Sequence, residues 1–205
     1  MTSQFRHLAF ENEALWVSAA NDWIQAKIRQ HRARSLYIPA GETPKPLYAS
    51  WEKTHPAFLN EIQMIQIDDV ATGPKKDLFR QFFRAHLPSY QKQIQFFDKG
   101  DQTADLAILG LGMNGHVAFH EPGLPAHFFS GCLELNEKTR QVLSLEKGVQ
   151  GQTYGLGAFL KCKSILMIVK GRQKAEVVNR LIEKDLSLPA SHLIDHPDFT
   201  LMTDF

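Results

Sequence analysis

A three-layer α/β fold, with a mainly parallel sheet flanked by helices, follows from three observations on the sequence. Leu106-Ala107-Ile108-Leu109 and Ile165-Leu166-Met167-Ile168-Val169 are apolar at every position, as expected of strands covered by helices on both sides. Stretches with helical periodicity alternate with such short runs, which is the pattern of βα units. Turns carrying glycine follow the runs, at Pro39-Ala40-Gly41 and at Gly110-Leu111-Gly112. Open α/β sheets bind ligands at that end of their strands.

In chain order, Leu15, Trp16, Ala19, Trp23, Ala26 and Ile28 recur close to a helical period and predict a long amphipathic helix over 11–32. Leu36-Tyr37-Ile38 predicts a short strand that runs into Pro39-Ala40-Gly41-Glu42-Thr43-Pro44. Pro44 suits the first turn of a helix continuing through 46–51, and Thr43 suits its N-cap. A strand, a Gly41 turn and a capped helix can hold a phosphate on free backbone N–H groups, with Thr43 adding a hydroxyl. A plain strand-to-helix turn fits the stretch equally well, and Glu42 opposes phosphate if its carboxylate points inward.

Ile62-Gln63-Met64-Ile65-Gln66-Ile67 predicts a strand ending at Asp68 and Asp69. A carboxylate there lies where a general base would act, although aspartate at such a position more often caps a turn or helix. Residues 75–87 predict a helix with Leu78, Phe79, Phe82, Phe83 and Leu87 inward and no ligand contact. Ile94-Gln95-Phe96-Phe97 predicts a minor strand.

The most informative stretch follows the central strand: Gly110-Leu111-Gly112-Met113-Asn114-Gly115-His116-Val117-Ala118-Phe119-His120-Glu121-Pro122. It delivers an amide, two histidines and a carboxylate from a glycine-rich turn. Its spacing satisfies G-x-G-x-x-G, but a dinucleotide site needs a helix directly after the glycines. Pro122, Gly123 and Pro125 interrupt the chain instead. His116 and His120 stand four apart as helical zinc ligands do, yet the glycine–proline context is not helical, so no metal site is expected.

Residues 121–152 form a segment too long for a simple connection, which predicts a lid over the site. Within it Cys132-Leu133-Glu134-Leu135 and Gln141-Val142-Leu143-Ser144-Leu145 look strand-like. Residues 153–160 predict a helix, and 164–169 a strand leading through Lys170-Gly171-Arg172-Gln173-Lys174-Ala175 into a helix to about 183. Basic residues beside a helix N-terminus suit an anion, and Lys174 is the expected phosphate contact. Pro189-Ala190-Ser191 opens a short helix, and Phe199-Thr200-Leu201-Met202 closes the sheet as its last strand.

The length of 205 residues fits one domain spanning 1–205. A net charge of +1 argues against nucleic acid as a partner. No apolar run approaches the roughly 18 residues of a membrane span, and the first residues lack the apolar core of an export signal. Cys132 and Cys162 are then expected as reduced thiols in a cytoplasmic protein.

Taken together, Pro39-Ala40-Gly41-Glu42-Thr43-Pro44, Ile67-Asp68-Asp69, the tract from Leu109 to Pro122, Gly171-Arg172-Gln173-Lys174-Ala175 and Pro189-Ala190-Ser191 resemble the glucosamine-6-phosphate deaminase and 6-phosphogluconolactonase superfamily. Gly115-His116-Val117-Ala118-Phe119-His120-Glu121-Pro122 is closer to the deaminase/isomerase branch. The resemblance implies a Rossmann-like fold and a phosphorylated-sugar substrate, isomerised from aldose to ketose with release of ammonia from a 2-amino sugar. It implies no metal or organic cofactor, and it allows a homo-oligomer. Asp68 would move a proton between C2 and C1, and His116 would open the pyranose ring, with Glu121 orienting its imidazole. Gly41, Thr43 and Lys174 would hold the phosphate.

Three departures stand out. Asn114 replaces the carboxylate that the family carries two residues before the histidine. Glu42 replaces a glycine of the phosphate turn. The family's phosphate arginine after Thr-Arg has no match, leaving Arg140 or Arg172 to compensate. The rival readings are a 6-phosphogluconolactonase, with His116 activating water, and a non-catalytic sugar-phosphate sensor.

Overall fold

The computed structural model describes residues 5–97 and 101–205. Its main sheet has seven strands in the order β1 (Arg6–Ala9), β10 (Phe199–Thr203), β9 (Ser164–Val169), β6 (Leu106–Gly110), β2 (Ser35–Ile38), β3 (Gln63–Gln66) and β5 (Ile94–Gln95). Every pairing in it is parallel.

The apolar runs are buried on both faces because side chains alternate between two cores. Leu106 and Ile108 pack in one cluster with Trp16, Trp23, Leu47, Tyr48 and Trp51 from α1 (Glu13–His31) and α2 (Lys45–Thr54). Ala107 and Leu109 pack in the other with Leu156 and Phe159 of α5 (Leu156–Phe159) and Val177, Val178 and Leu181 of α6 (Ala175–Ile182). Two indoles find partners across the α1 layer: Trp16 Nε1 donates to the Met202 carbonyl at 3.3 Å and Trp23 Nε1 to Thr200 Oγ1 at 3.0 Å. A buried indole N–H left unpaired there would cost about 1–3 kcal/mol. Asn12 starts α1 by accepting from the Leu15 N–H at 3.0 Å.

Strand order locates the ligand crevice. From β2 the chain winds outward through β3 to β5, then returns to the other side of β2 and winds the opposite way through β6, β9 and β10. The reversal lies between β2 and β6, and such a switch point opens a crevice at the carboxyl ends of the two strands.

A second, antiparallel sheet of β4 (Asp68–Val70), β8 (Gln150–Tyr154) and β7 (Ser130–Glu134) stands beside that end. Its small core of Val70, Phe119, Leu135 and Val149 is flanked by Phe79 of α3 (Leu78–His86) and Leu143 of α4 (Glu137–Leu143). Among the described residues no helix is long and apolar enough to cross a membrane.

Several expectations are corrected. One strand was not expected: β1, whose four residues are all exposed and carry no apolar alternation, pairs outside β10. Asp68 and Asp69 do not end a strand but begin β4. Gln141, Val142 and Leu143 belong to α4 rather than a strand, since Asn136 accepts from the Thr139 N–H at 2.8 Å and fixes a helical turn. Thr43 is not the N-cap of α2: residues 42–44 form a tight turn and Pro44 occupies that position without a side-chain cap. The predicted 153–160 helix splits into the end of β8 and the short α5. The 121–152 segment is correspondingly less irregular than expected, since it contains β7 and α4 and most of β8.

Candidate active site

A cavity of about 600 Å³ opens at the switch point. Four strand ends supply its floor. Residues 39–44 follow β2, Ile67 and Asp68 link β3 to β4, Gly110 to Met113 come from the end of β6, and Lys174 from the turn after β9. Asn114, His116, Ala118 and Phe119 continue one wall, and Lys138, Thr139, Gln141, Val142 and Leu143 of α4 form another.

The two adjacent aspartates divide into different tasks. Asp69 accepts from the Val70, Phe79 and Arg80 N–H groups at 2.8, 2.8 and 3.1 Å and from Gln66 Nε2 at 2.9 Å. It therefore ties β4 to the start of α3. Burial raises its pKa, against the pull of those four donors. Asp68 faces the cavity and is 6% exposed. Burial pushes its carboxyl well above the usual carboxylate range, and the neighbouring Asp69 adds to this. An ionised carboxylate so placed is a stronger base than one in water.

His116 sits at the end of a hydrogen-bonded chain. Its Nδ1 lies 2.6 Å from Asn114 Oδ1, Asn114 Nδ2 donates to Glu121 Oε2 at 2.8 Å, and Thr139 Oγ1 donates to Glu121 Oε1 at 2.5 Å. Glu121 as carboxylate can only accept, so the amide presents its oxygen to the imidazole. That oxygen also only accepts, so Nδ1 carries the hydrogen and Nε2 keeps its lone pair. Burial lowers the His116 pKa; the Glu121 charge opposes this and Lys174 reinforces it.

Glu121 does not touch the ring: its oxygen stands 3.7 Å from Nδ1, with Asn114 interposed. The expected orienting role thus passes through the amide. Gly112 leaves room for the ring, since a Cβ there would come within 2.2 Å of His116 Cε1. The turn carrying the histidine is strained, with Ala118 at φ 54°.

In the turn after β2, Gly41 adopts φ 106°, open only to glycine at low cost. Tyr48 holds the turn by donating its hydroxyl to the Pro39 carbonyl at 2.6 Å. Glu42 lies on the cavity rim, but its carboxylate is 85% exposed and paired with Lys45. It does not point inward. Thr43 lines the cavity, and Lys174 reaches it from the opposite side, anchored to the Leu111 carbonyl at 2.5 Å. Burial lowers the Lys174 pKa.

Arg140 and Arg172 do not line the cavity. Arg140 donates to the Leu135 carbonyl at 2.6 Å and lies near Glu134, while Arg172 is exposed. His120 also lies outside it, buried, accepting from the Leu156 N–H at 3.3 Å. Among the described residues no group of three or more His, Cys, Asp or Glu side chains is placed to hold a metal ion. Sequence reasoning missed Phe79, Phe119 and the α4 wall; the Asn136 cap ahead of Thr139 was the signal available for α4.

The family described as glucosamine-6-phosphate isomerases/6-phosphogluconolactonase matches residues 53–201. A glucosamine-6-phosphate deaminase of Bacillus velezensis is 30% identical, with 88% of this chain and 89% of that protein covered. One of Bacillus cytotoxicus is 28% identical over 96% of this chain and 86% of its own length. In fold the chain is similar to a monomeric glucosamine-6-phosphate deaminase, at a TM-score of 0.79 and 24% identity, with 97% of each chain covered. It is also similar to 6-phosphogluconolactonase from Thermotoga maritima, at 0.76 and 16% identity, covering 98% of this chain and all of that one.

Proposed function

The chain belongs to the glucosamine-6-phosphate isomerase/6-phosphogluconolactonase family, and we propose that it is a hexosamine-6-phosphate deaminase/isomerase. The observation that carries this reading is the pairing in one cavity of a buried carboxylate, Asp68, with a histidine whose Nε2 is kept basic by Asn114 and Glu121. Enolisation beside a carbonyl needs a base at the C–H bond, and ring opening needs a second proton carrier. The deaminase relatives of 28–30% identity support the same branch.

In this mechanism the phosphate of the sugar rests against the Gly41 turn, Thr43 and Lys174, remote from the reacting carbons, and fixes the pyranose in register. His116 Nε2 takes the proton of the C1 hydroxyl and returns it to the ring oxygen, which opens the ring. Asp68 takes the proton from C2 and delivers it to C1, while the amine gives up one proton and the C1 oxygen gains one, leaving an imine at C2 and a hydroxyl at C1. Water hydrolyses the imine to the ketose and ammonia. Asn114 keeps the Nδ1 hydrogen in place throughout, and Glu121 holds the amide. The segment 121–152, through α4, acts as the lid on this chemistry.

Incubating the purified protein with glucosamine 6-phosphate, and in parallel with 6-phosphogluconolactone, tests the proposal. Equal amounts of ammonia and ketose phosphate are expected. Lactone hydrolysis without ammonia release would transfer the same site to the lactonase branch, and binding without turnover would make it a sensor.

A further inference from the structure

The cavity wall contributed by α4, so far given only the role of a lid, carries two side chains whose surroundings are unlike those of their neighbours. Among the described residues lining the cavity, Lys138 and Lys174 are the lysines and none is an arginine. Lys174 is anchored to the Leu111 carbonyl. The basic groups around Lys138 are committed elsewhere. Lys45 pairs with Glu42, Arg140 lies against Glu134 and the Leu135 carbonyl, and Lys75 donates to the Leu143 carbonyl. Lys138 has no such partner among the described residues. It is a free ammonium at the edge of a cavity whose remaining anion-binding cation comes from the far wall.

The next residue, Thr139, is the outer end of the His116–Asn114–Glu121 chain, donating to Glu121 at 2.5 Å. Glu121 is 8% exposed and has two side-chain donors, Asn114 and Thr139. A buried carboxylate deprived of one donor reorients or gathers a proton. The position of α4 and the orientation of the imidazole are therefore mechanically joined through Thr139.

Resting on the deaminase reading, we infer that α4 joins phosphate recognition to the catalytic histidine on two consecutive residues. Lys138 is the second cation for the substrate's phosphate, facing Lys174 across the cavity, in place of the arginines that turn away. Thr139 is a positioning residue that transmits the seating of α4 through Glu121 and Asn114 to His116. A substrate that lacks the phosphate leaves α4 unanchored, so the discrimination between phosphorylated and free amino sugar falls on both binding and turnover.

The test uses the full chain and four variants, Lys138→Gln, Thr139→Val, Thr139→Ser and, as a control arginine away from the cavity, Arg172→Gln. Ammonia release is measured with glucosamine 6-phosphate and with glucosamine, and calorimetry measures binding of the same two sugars. Losing one charge-assisted contact in Lys138→Gln is expected to weaken KM and Kd for glucosamine 6-phosphate about tenfold. Its kcat should fall as well, because α4 loses its phosphate anchor, and affinity for glucosamine should not change. Thr139→Val is expected to lower kcat about tenfold with little change in KM, and Thr139→Ser to restore it. Arg172→Gln should match the parent.

An unchanged KM and Kd in Lys138→Gln, or an equal loss for both sugars, overturns the assignment of Lys138. A Thr139→Val variant with normal kcat, or one not rescued by serine, overturns that of Thr139. Should the parent protein bind glucosamine 6-phosphate without releasing ammonia, the deaminase reading fails while calorimetry on Lys138→Gln still decides the phosphate contact.

Discussion

Replacing Asn114 by aspartate isolates the electrostatics of the His116 relay. The amide now separates a donor from an acceptor, the His116 Nδ1–H facing its oxygen and the Glu121 carboxylate its nitrogen, 2.6 and 2.8 Å away. In Asn114→Asp the second carboxyl faces Glu121 across the same gap, and two carboxylates that close share one proton. The pair then carries one negative charge, as Glu121 does alone, but that charge moves to the atom beside the imidazole. Bringing a unit charge from 3.7 Å to 2.6 Å of Nδ1 stabilises imidazolium by about 2 kcal/mol at an effective dielectric constant of about 20. Because His116 must be neutral at Nε2 to begin ring opening, the acid limb of the pH–rate profile should move upward by roughly 1.4 pH units. The assay is kcat/KM for ammonia release across the mildly acidic to mildly alkaline range, with far-UV circular dichroism as a folding control. A limb that stays in place, or moves to lower pH, refutes the tautomer and charge assignment.

The remaining predictions follow from the same geometry. Gly112→Ala places a methyl group against the His116 ring and should lower kcat about 100-fold, the cost of misplacing a catalytic group by about 1 Å; retained activity would show that the ring is not held there. Asp68→Asn should abolish turnover by about 1,000-fold or more and yet raise the melting temperature at neutral pH. The sign follows from its raised pKa: the unfolded carboxyl ionises first, so an ionised Asp68 costs stability above its unfolded pKa. That gain should vanish as the pH falls below the ordinary carboxylate range. Asp69→Ala should do the reverse in stability, removing the acceptor of four N–H groups and costing about 3 kcal/mol or more by denaturant melts. If the two aspartate variants shift stability in the same direction, the division of roles between them is wrong.

Much of this was legible in the sequence because it rests on strong local signals. Strands buried on both faces announce themselves by unbroken apolar runs, so β6 and β9 and the parallel sheet around them were readable. The sequence also singled out Asp68, Asn114, His116, Thr43 and Lys174, which line one cavity at those strand ends. What escaped depends on long-range pairing. β1 is exposed along its whole length and exists because it pairs with β10, nearly two hundred residues away. Asp68 and Asp69 looked alike as a pair of carboxylates; only the approach of the α3 N–H groups to Asp69 tells them apart. Arg140 and Arg172 were the natural compensation for a missing phosphate arginine, but the Leu135 carbonyl claims one and the other is exposed. Val142 and Leu143 read as strand because apolar residues on a cavity wall mimic a half-buried strand.

The proposal that Asp68 carries a proton between C2 and C1 is tested most directly by turnover, in ordinary water, of glucosamine 6-phosphate labelled with deuterium at C2, with the ketose phosphate analysed at C1. Ammonia and ketose phosphate are expected in equal amounts, with deuterium from C2 found at C1 of the product, and both signals are expected to be lost in Asp68→Asn. Product with no label at C1, or ammonia release that persists in Asp68→Asn, would contradict it.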